Sequence, residues 1–192
     1  MEEAQRGAGR RAGREAVGCV EGQLTVGRGN CDSGRENGQG GERGARELVG
    51  ESGRAEVVAV INTLAEAGQA QKDAEAMLRE HPEINVLIAF NEPTSVGAAY
   101  AVDSLDLSES VFLVGFDSNV ATVDGLQDGC VDALIVQNPY AMGYLGVESA
   151  YKLLSDGGEE LETVVDTSTQ IVDRENMFTM DSQKALFAFE QR

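Results

Sequence analysis

Val111-Phe112-Leu113-Val114-Gly115-Phe116-Asp117 is an apolar run that breaks at a glycine and ends in a carboxylate. With no alternation of polar residues, such a run predicts a strand covered on both faces. Residues 84–90 (INVLIAF) repeat the pattern and stop at Asn91, and residues 131–136 (VDALIV) repeat it and stop at Gln137. Helix-like segments separate the runs, so the sequence predicts an α/β fold on a doubly wound, mainly parallel sheet. In such sheets ligands sit beyond the carboxyl ends of the strands. Asn91, Asp117 and Gln137 are therefore the candidate ligand-binding residues. Together they offer amide donors, amide acceptors and a carboxylate acceptor, a set suited to a polyhydroxylated small molecule. Each also has a local alternative: Asp117 ahead of Ser118-Asn119 suits a cap or Asx turn, and Asn91 ahead of Pro93 suits a helix start.

Outward from these runs, residues 56–61 (EVVAVI) predict a first strand and residues 69–80 a first helix, with Leu64, Ala74, Met77 and Leu78 toward the sheet. Pro93 in a first turn opens a helix to about Leu105. A helix from Ser118-Asn119 to Gln127 is closed by Gly129. Pro139 opens a long helix to about Ser155, with Met142, Leu145, Gly146, Ser149 and Leu153 on one stripe. Residues 164–172 are a strand candidate and residues 182–190 a terminal helix. Tyr140 and Tyr144 can stack on a sugar, though their expected place is core packing or cover over a hinge.

The 192 residues carry a net charge of −18, and its distribution is uneven. Residues 1–55 hold 14 of the 23 glycines and nine arginines balanced by nine acids, so the whole −18 falls on residues 56–192, where 24 acids face six bases. The Gly- and Arg-rich segment has no apolar run longer than two residues. It reads as a disordered leader, or as the product of a shifted reading frame in GC-rich DNA, followed by one folded domain over 56–192. The acidity of that domain argues against nucleic acid and anionic membranes as partners, and it fits either a surface adapted to high salt or an ordinary acidic mesophilic one. Cys19, Cys31 and Cys130 are odd in number and lack metal-ligand spacing. His81, the only histidine, sits where a helix should end. No stretch is apolar enough to insert in a membrane, and no signal-peptide pattern opens the chain. Without a nucleophile–base pair or a phosphate loop, no catalytic residue, metal or cofactor is expected.

Four segments in order, 81–102 (HPEINVLIAFNEPTSVGAAYAV), 113–119 (LVGFDSN), 125–154 (GLQDGCVDALIVQNPYAMGYLGVESAYKLL) and 165–177 (VDTSTQIVDRENM), resemble the periplasmic binding protein family of the ribose-binding type. These are the sugar receptors of ABC transporters, and the resemblance covers about the last 135 residues. It implies binding of a monosaccharide without chemistry, a membrane permease as partner, and a periplasmic or cell-surface location. It also implies roles. Asn91 matches an asparagine that binds sugar hydroxyls, Asp117 an aspartate that accepts from them, and Gln137 a glutamine that touches both sugar and hinge. Ala65 stands where ribose receptors place a stacking aromatic. A first lobe is expected ahead of Val57, and residues 1–55 do not supply it. In the family the helix after Gln137 packs on that lobe, so the stripe of Met142, Leu145 and Leu153 is expected to lack its neighbours. The alternatives are the effector domain of a LacI-type regulator, for which residues 1–55 lack a helix-turn-helix pattern, and a nonfunctional fragment.

Overall fold

The VFLVGF run forms an interior strand of a six-stranded sheet whose order is β2-β1-β3-β4-β5-β6, in a computed structural model. The structure describes residues 2–31, 36–64, 66–156, 161, 162, 165, 167 and 169–187. The elements are α1 (Glu2–Cys19), β1 (Leu24–Cys31), α2 (Glu36–Glu51), β2 (Ala55–Thr63), α3 (Ala67–Glu80), β3 (Val86–Ala89), α4 (Glu92–Ser104), β4 (Phe112–Phe116), α5 (Val120–Asp128), β5 (Ala133–Val136), α6 (Pro139–Asp156), β6 (Gln170–Asp173) and α7 (Met180–Leu186). Strands β1 to β5 pair in parallel, and β6 closes the edge antiparallel to β5, with Val136 opposite Gln170.

Because successive strand residues face opposite sides, each uniformly apolar strand feeds two cores. Leu87, Ala89, Leu113, Leu134 and Val136 meet Ala74, Met77, Leu78, Ala98 and Val102 of α3 and α4 on one face. Val86, Ile88, Val114, Phe116 and Ile135 meet Ala8, Ala12, Ala16 and Ala45 of α1 and α2 on the other. The sheet is thus doubly wound, as expected. Helix α4 is held close against α3. A Cβ on Gly97 would lie 2.5 Å from Ala70 Cβ and 2.6 Å from the Gln71 nitrogen, so only glycine lets α4 touch α3 there.

Residues 1–55 are a correction. They were expected to lack a fold, yet residues 2–31 and 36–51 form α1, β1 and α2, and β1 is an inner strand. The run at 56–61, expected to be the first strand, lies within β2 at the sheet edge. The stripe Ala8, Ala12, Ala16 is a core face at helical spacing built from alanine, so a search for long aliphatic runs passes over it. The glycines have a packing role: a side chain at Gly9 would collide with the Gly41 backbone and one at Gly44 with the Arg6 carbonyl, so α1 and α2 cross at backbone contact. Arg6 and Arg10 pair with Glu47 and Glu51 across the same crossing, at 2.9–3.4 Å. Arg28, buried in β1, forms an ion pair with Glu42 at 2.9 Å.

Smaller corrections follow. Leu64 is exposed and not on the sheet. Tyr140 and Tyr144 stack on each other at 6.4 Å and are exposed, neither in the core. Of the strand expected at 164–172, residues 170–172 belong to β6 (Gln170–Asp173), and residues 164, 166 and 168 lie outside the described residues, as do Ala65 and residues 188–190 of the terminal helix. His81 caps the end of α3, and its Nδ1 lies 3.1 Å from Glu83 Oε1. Along α6, Tyr140, Met142, Tyr144, Val147, Tyr151, Leu153 and Leu154 are all exposed.

Nine arginines and nine acids cancel over residues 1–55, so the surplus negative charge falls on residues 56–192. The melting temperature is accordingly expected to rise by about 5 °C or more between about 0.1 and 1 M KCl, as counterions screen the self-repulsion. A flat salt curve in a thermal melt removes the high-salt reading.

Candidate functional site

Each strand of the parallel part ends in a polar residue at one edge of the sheet. Asn91 follows β3, Asp117 follows β4 and Gln137 follows β5, and Asn30 and Thr63 lie within the last residues of β1 and β2. The three residues expected from sequence are all at this edge, but the structure uses them differently.

Asp117 is the most constrained. Its φ of 62° is left-handed, a conformation that aspartate visits more readily than most residues. Its backbone N–H donates to the Ile135 carbonyl at 3.1 Å, which ties the turn to β5. Burial first, and the nearby Glu92 charge second, push the carboxyl up to about 6, with the Glu92 backbone N–H offsetting part of the rise. Glu92 opens α4, and its Oε1 accepts from Asn119 Nδ2 at 2.8 Å, so it bridges the starts of α4 and α5. Asp117 and Gln137 line one cleft of about 340 Å³ together with Glu92, Ser118, Met142 and Leu186. Gln137 also lines a second cleft of about 400 Å³, beside Gln170, Asp181 and Lys184.

Asn91 caps α4. Its Oδ1 accepts from the Thr94 N–H at 3.1 Å and from the Thr94 hydroxyl at 3.0 Å, so the local alternative read from sequence is real. Its Nδ2 donates to Asn30 Oδ1 at 3.4 Å. Asn119 caps α5 through a capping box with Thr122, and Gly129 ends that helix at φ 92°; the cap expected of Asp117 therefore belongs to Asn119.

Two residues of the edge escaped the sequence reading. Ser95, 1% exposed, pins α4 to β4: its Oγ accepts from the Phe116 N–H at 2.8 Å and reaches the Phe116 and Asn91 carbonyls at 3.0 and 2.8 Å. Gly115 makes room for it, since a Cβ there would lie 3.1 Å from Ser95. Nothing in the local pattern marks this serine, because its partner is 21 residues away. Asn30 escaped because the segment around it read as lacking a fold. Phe90 and Phe116, at the ends of β3 and β4, pack with ring centroids 5.5 Å apart and floor the edge on the α1 side.

The profile of the periplasmic binding protein domain family matches residues 4–160. The chain is 36% identical over 101 residues to the D-ribose/D-allose-binding protein of Pseudomonas aeruginosa, covering 52% of this chain and 32% of that one. It is 31% identical over 96 residues to the ribose import binding protein of Escherichia coli, covering 50% of this chain and 31% of that one. The matched stretches thus span about a third of the length of these curated relatives. Among solved structures, a carbohydrate transporter solute binding protein from Agrobacterium radiobacter, in complex with D-arabinose, superposes with a TM-score of 0.86 at 25% identity, over 95% of this chain and 63% of that one.

Proposed function

We propose, from the premise that this chain belongs to the periplasmic binding protein domain family, that it is the sugar-gripping lobe of a solute-binding component of an ABC transporter. The observation that carries this reading is the polar edge itself: three successive parallel strands lead to Asn91, Asp117 and Gln137, and the last two line a cleft of about 340 Å³. The relatives named above for ribose, allose and D-arabinose support a monosaccharide or similar polyol as the ligand class.

The chemistry is binding alone. Asp117 accepts from ligand hydroxyls, and a charged acceptor in a sheltered cleft makes the stronger bonds of the set. Asn91 donates through Nδ2, the end of its amide that the helix cap leaves available. Gln137, where β5 hands over to α6, ties ligand to hinge. Closure over the sugar would present a surface to a permease, and the location is periplasmic or at the cell surface.

One such lobe supplies part of a ligand's contacts. A receptor with a dissociation constant near 1 μM has about −8 kcal/mol of binding free energy, and half of that leaves about 1 mM. The isolated chain is therefore expected to bind monosaccharides no tighter than about 1 mM, saturably and through the edge residues. An NMR titration with D-ribose checks this. Absence of any saturable shift at the edge rejects the function, and micromolar affinity rejects the half-site argument.

A further inference from the structure

We infer that Asn30, at the carboxyl end of β1, is a positioning residue of the sugar edge: it fixes the Asn91 amide so that a ligand meets a donor there, and it brings a second donor of its own. This rests on the sugar reading above. From β1 the chain runs outward to β2, then crosses back to β3 on the other side of β1. The crevice of a doubly wound sheet opens where the winding reverses, which here is between the ends of β1 and β3. Asn30 and Asn91 are the polar side chains at those two ends and are bonded to each other at 3.4 Å.

The bookkeeping of the two amides gives the chemistry. Asn91 Oδ1 is used by the Thr94 N–H and hydroxyl. Its Nδ2 carries two protons, and Asn30 Oδ1 takes one, which sets the orientation of the amide and leaves the other for a ligand. Asn30 itself is 2% exposed, and its Nδ2 has no partner among the described residues. A buried donor left unpaired is costly, and a cost of this kind in a native structure points to a partner that is sometimes present. What two bonded asparagines with an amide N–H left over on each lack is an acceptor. The ligand group that fits is a hydroxyl or ring oxygen, and a protonated amine at the same place is repelled. Asp117 accepts and the two asparagines donate, so the edge reads both senses of a polyol's hydrogen bonds.

The test is a titration of the ¹⁵N-labelled chain with D-ribose to about 50 mM, well above the expected millimolar midpoint. The side-chain amides of Asn30, Asn91 and Gln137 are followed, each assigned by its absence in Asn30→Asp, Asn91→Asp and Gln137→Glu. All three are expected to move along one saturable curve, and Asn30→Ala is expected to weaken D-ribose at least about tenfold when read at Gln137. A structural role alone would change the melting temperature of Asn30→Ala and leave its D-ribose affinity as in wild type. An Asn30 amide that stays still while Gln137 moves, or an unchanged affinity in Asn30→Ala, overturns the inference and leaves the sugar site standing. No movement at any of the three overturns the sugar reading and this inference with it. Should Asn30→Ala not fold, the wild-type titration decides alone.

Discussion

Asp117→Asn is expected to make the protein more stable by about 2 kcal/mol at pH 8 and no more stable at pH 4. The carboxyl titrates at about 6 in the folded chain against an ordinary value of 3.8. The folded state therefore holds this proton more tightly than the unfolded state does. Below about pH 4 the group is protonated in both states and contributes nothing. As pH rises from about 4 to 6 the unfolded chain releases the proton first, and stability is lost. Above about 6 the loss is complete, with a ceiling of about 3 kcal/mol for a displacement of this size. Partial exposure of Asp117 and the desolvation of the replacing amide reduce the expected gain to about 2 kcal/mol. Asparagine keeps an oxygen for the Glu92 N–H, removes the repulsion from Glu92 and tolerates the left-handed backbone. Urea unfolding of both proteins from pH 4 to 8 checks it: the two stability curves should separate between pH 4 and 6 and then run parallel. Curves that coincide throughout mean that Asp117 carries no such load. The same variant should lose D-ribose affinity by at least about tenfold, because the charged acceptor is gone. Stability held back at a residue facing a cleft is what a binding role predicts.

Gly97→Val should cost about 3–5 kcal/mol, enough to unfold a domain of ordinary stability. The added Cβ would overlap Ala70 Cβ at 2.5 Å and the Gln71 nitrogen at 2.6 Å, and the second of these is backbone, which has no rotamer to turn aside. The helices α3 and α4 would have to separate. Since Asn91 and Thr94 sit at the start of α4 and Ser95 pins that helix to Phe116, the separation would also disturb the Asn91 and Asp117 turns. Gly97→Ala shares the clash but not the β-branch, and should lie between wild type and Gly97→Val. Chemical denaturation of the three proteins orders them, and a Gly97→Val protein as stable as wild type would show that the α3–α4 contact is not as tight as described.

Much of the fold was legible because the strands before Asn91, Asp117 and Gln137 (VLIA, FLVGF and ALIV) carry no polar side chain, and a two-faced strand needs no context to be recognised. Helix starts and stops were legible for a similar reason where Pro93 and Gly129 act within one turn of their own positions, whereas the cap of α5 falls on Asn119 and not on Asp117, the residue the sequence offered for it. The first third of the chain was not. A helix face made of Ala8, Ala12 and Ala16 carries little hydrophobic signal per residue, and its value comes from an interhelical approach that only the assembled structure displays. Strand β1 hid for another reason, since its apolar residues Leu24 and Val26 alternate with small or polar ones and its far half carries Arg28 and Asn30. The site followed the same division. Its carboxylate and amides could be read at strand ends, whereas the pairing of Asn30 with Asn91 spans 61 residues and leaves no local trace.

The antiparallel pairing of β5 with β6 has a consequence for engineering. Val136 and Gln170 are opposite one another in register, so the chain leaves the sheet and returns to it at adjacent points. Whatever lies between is a graft on a closed stem. Because loop-closure entropy rises only slowly with length, that stem should accept a two-residue hairpin turn, α6 as it stands, or a whole foreign domain, with the five parallel-wound strands unaware of the exchange.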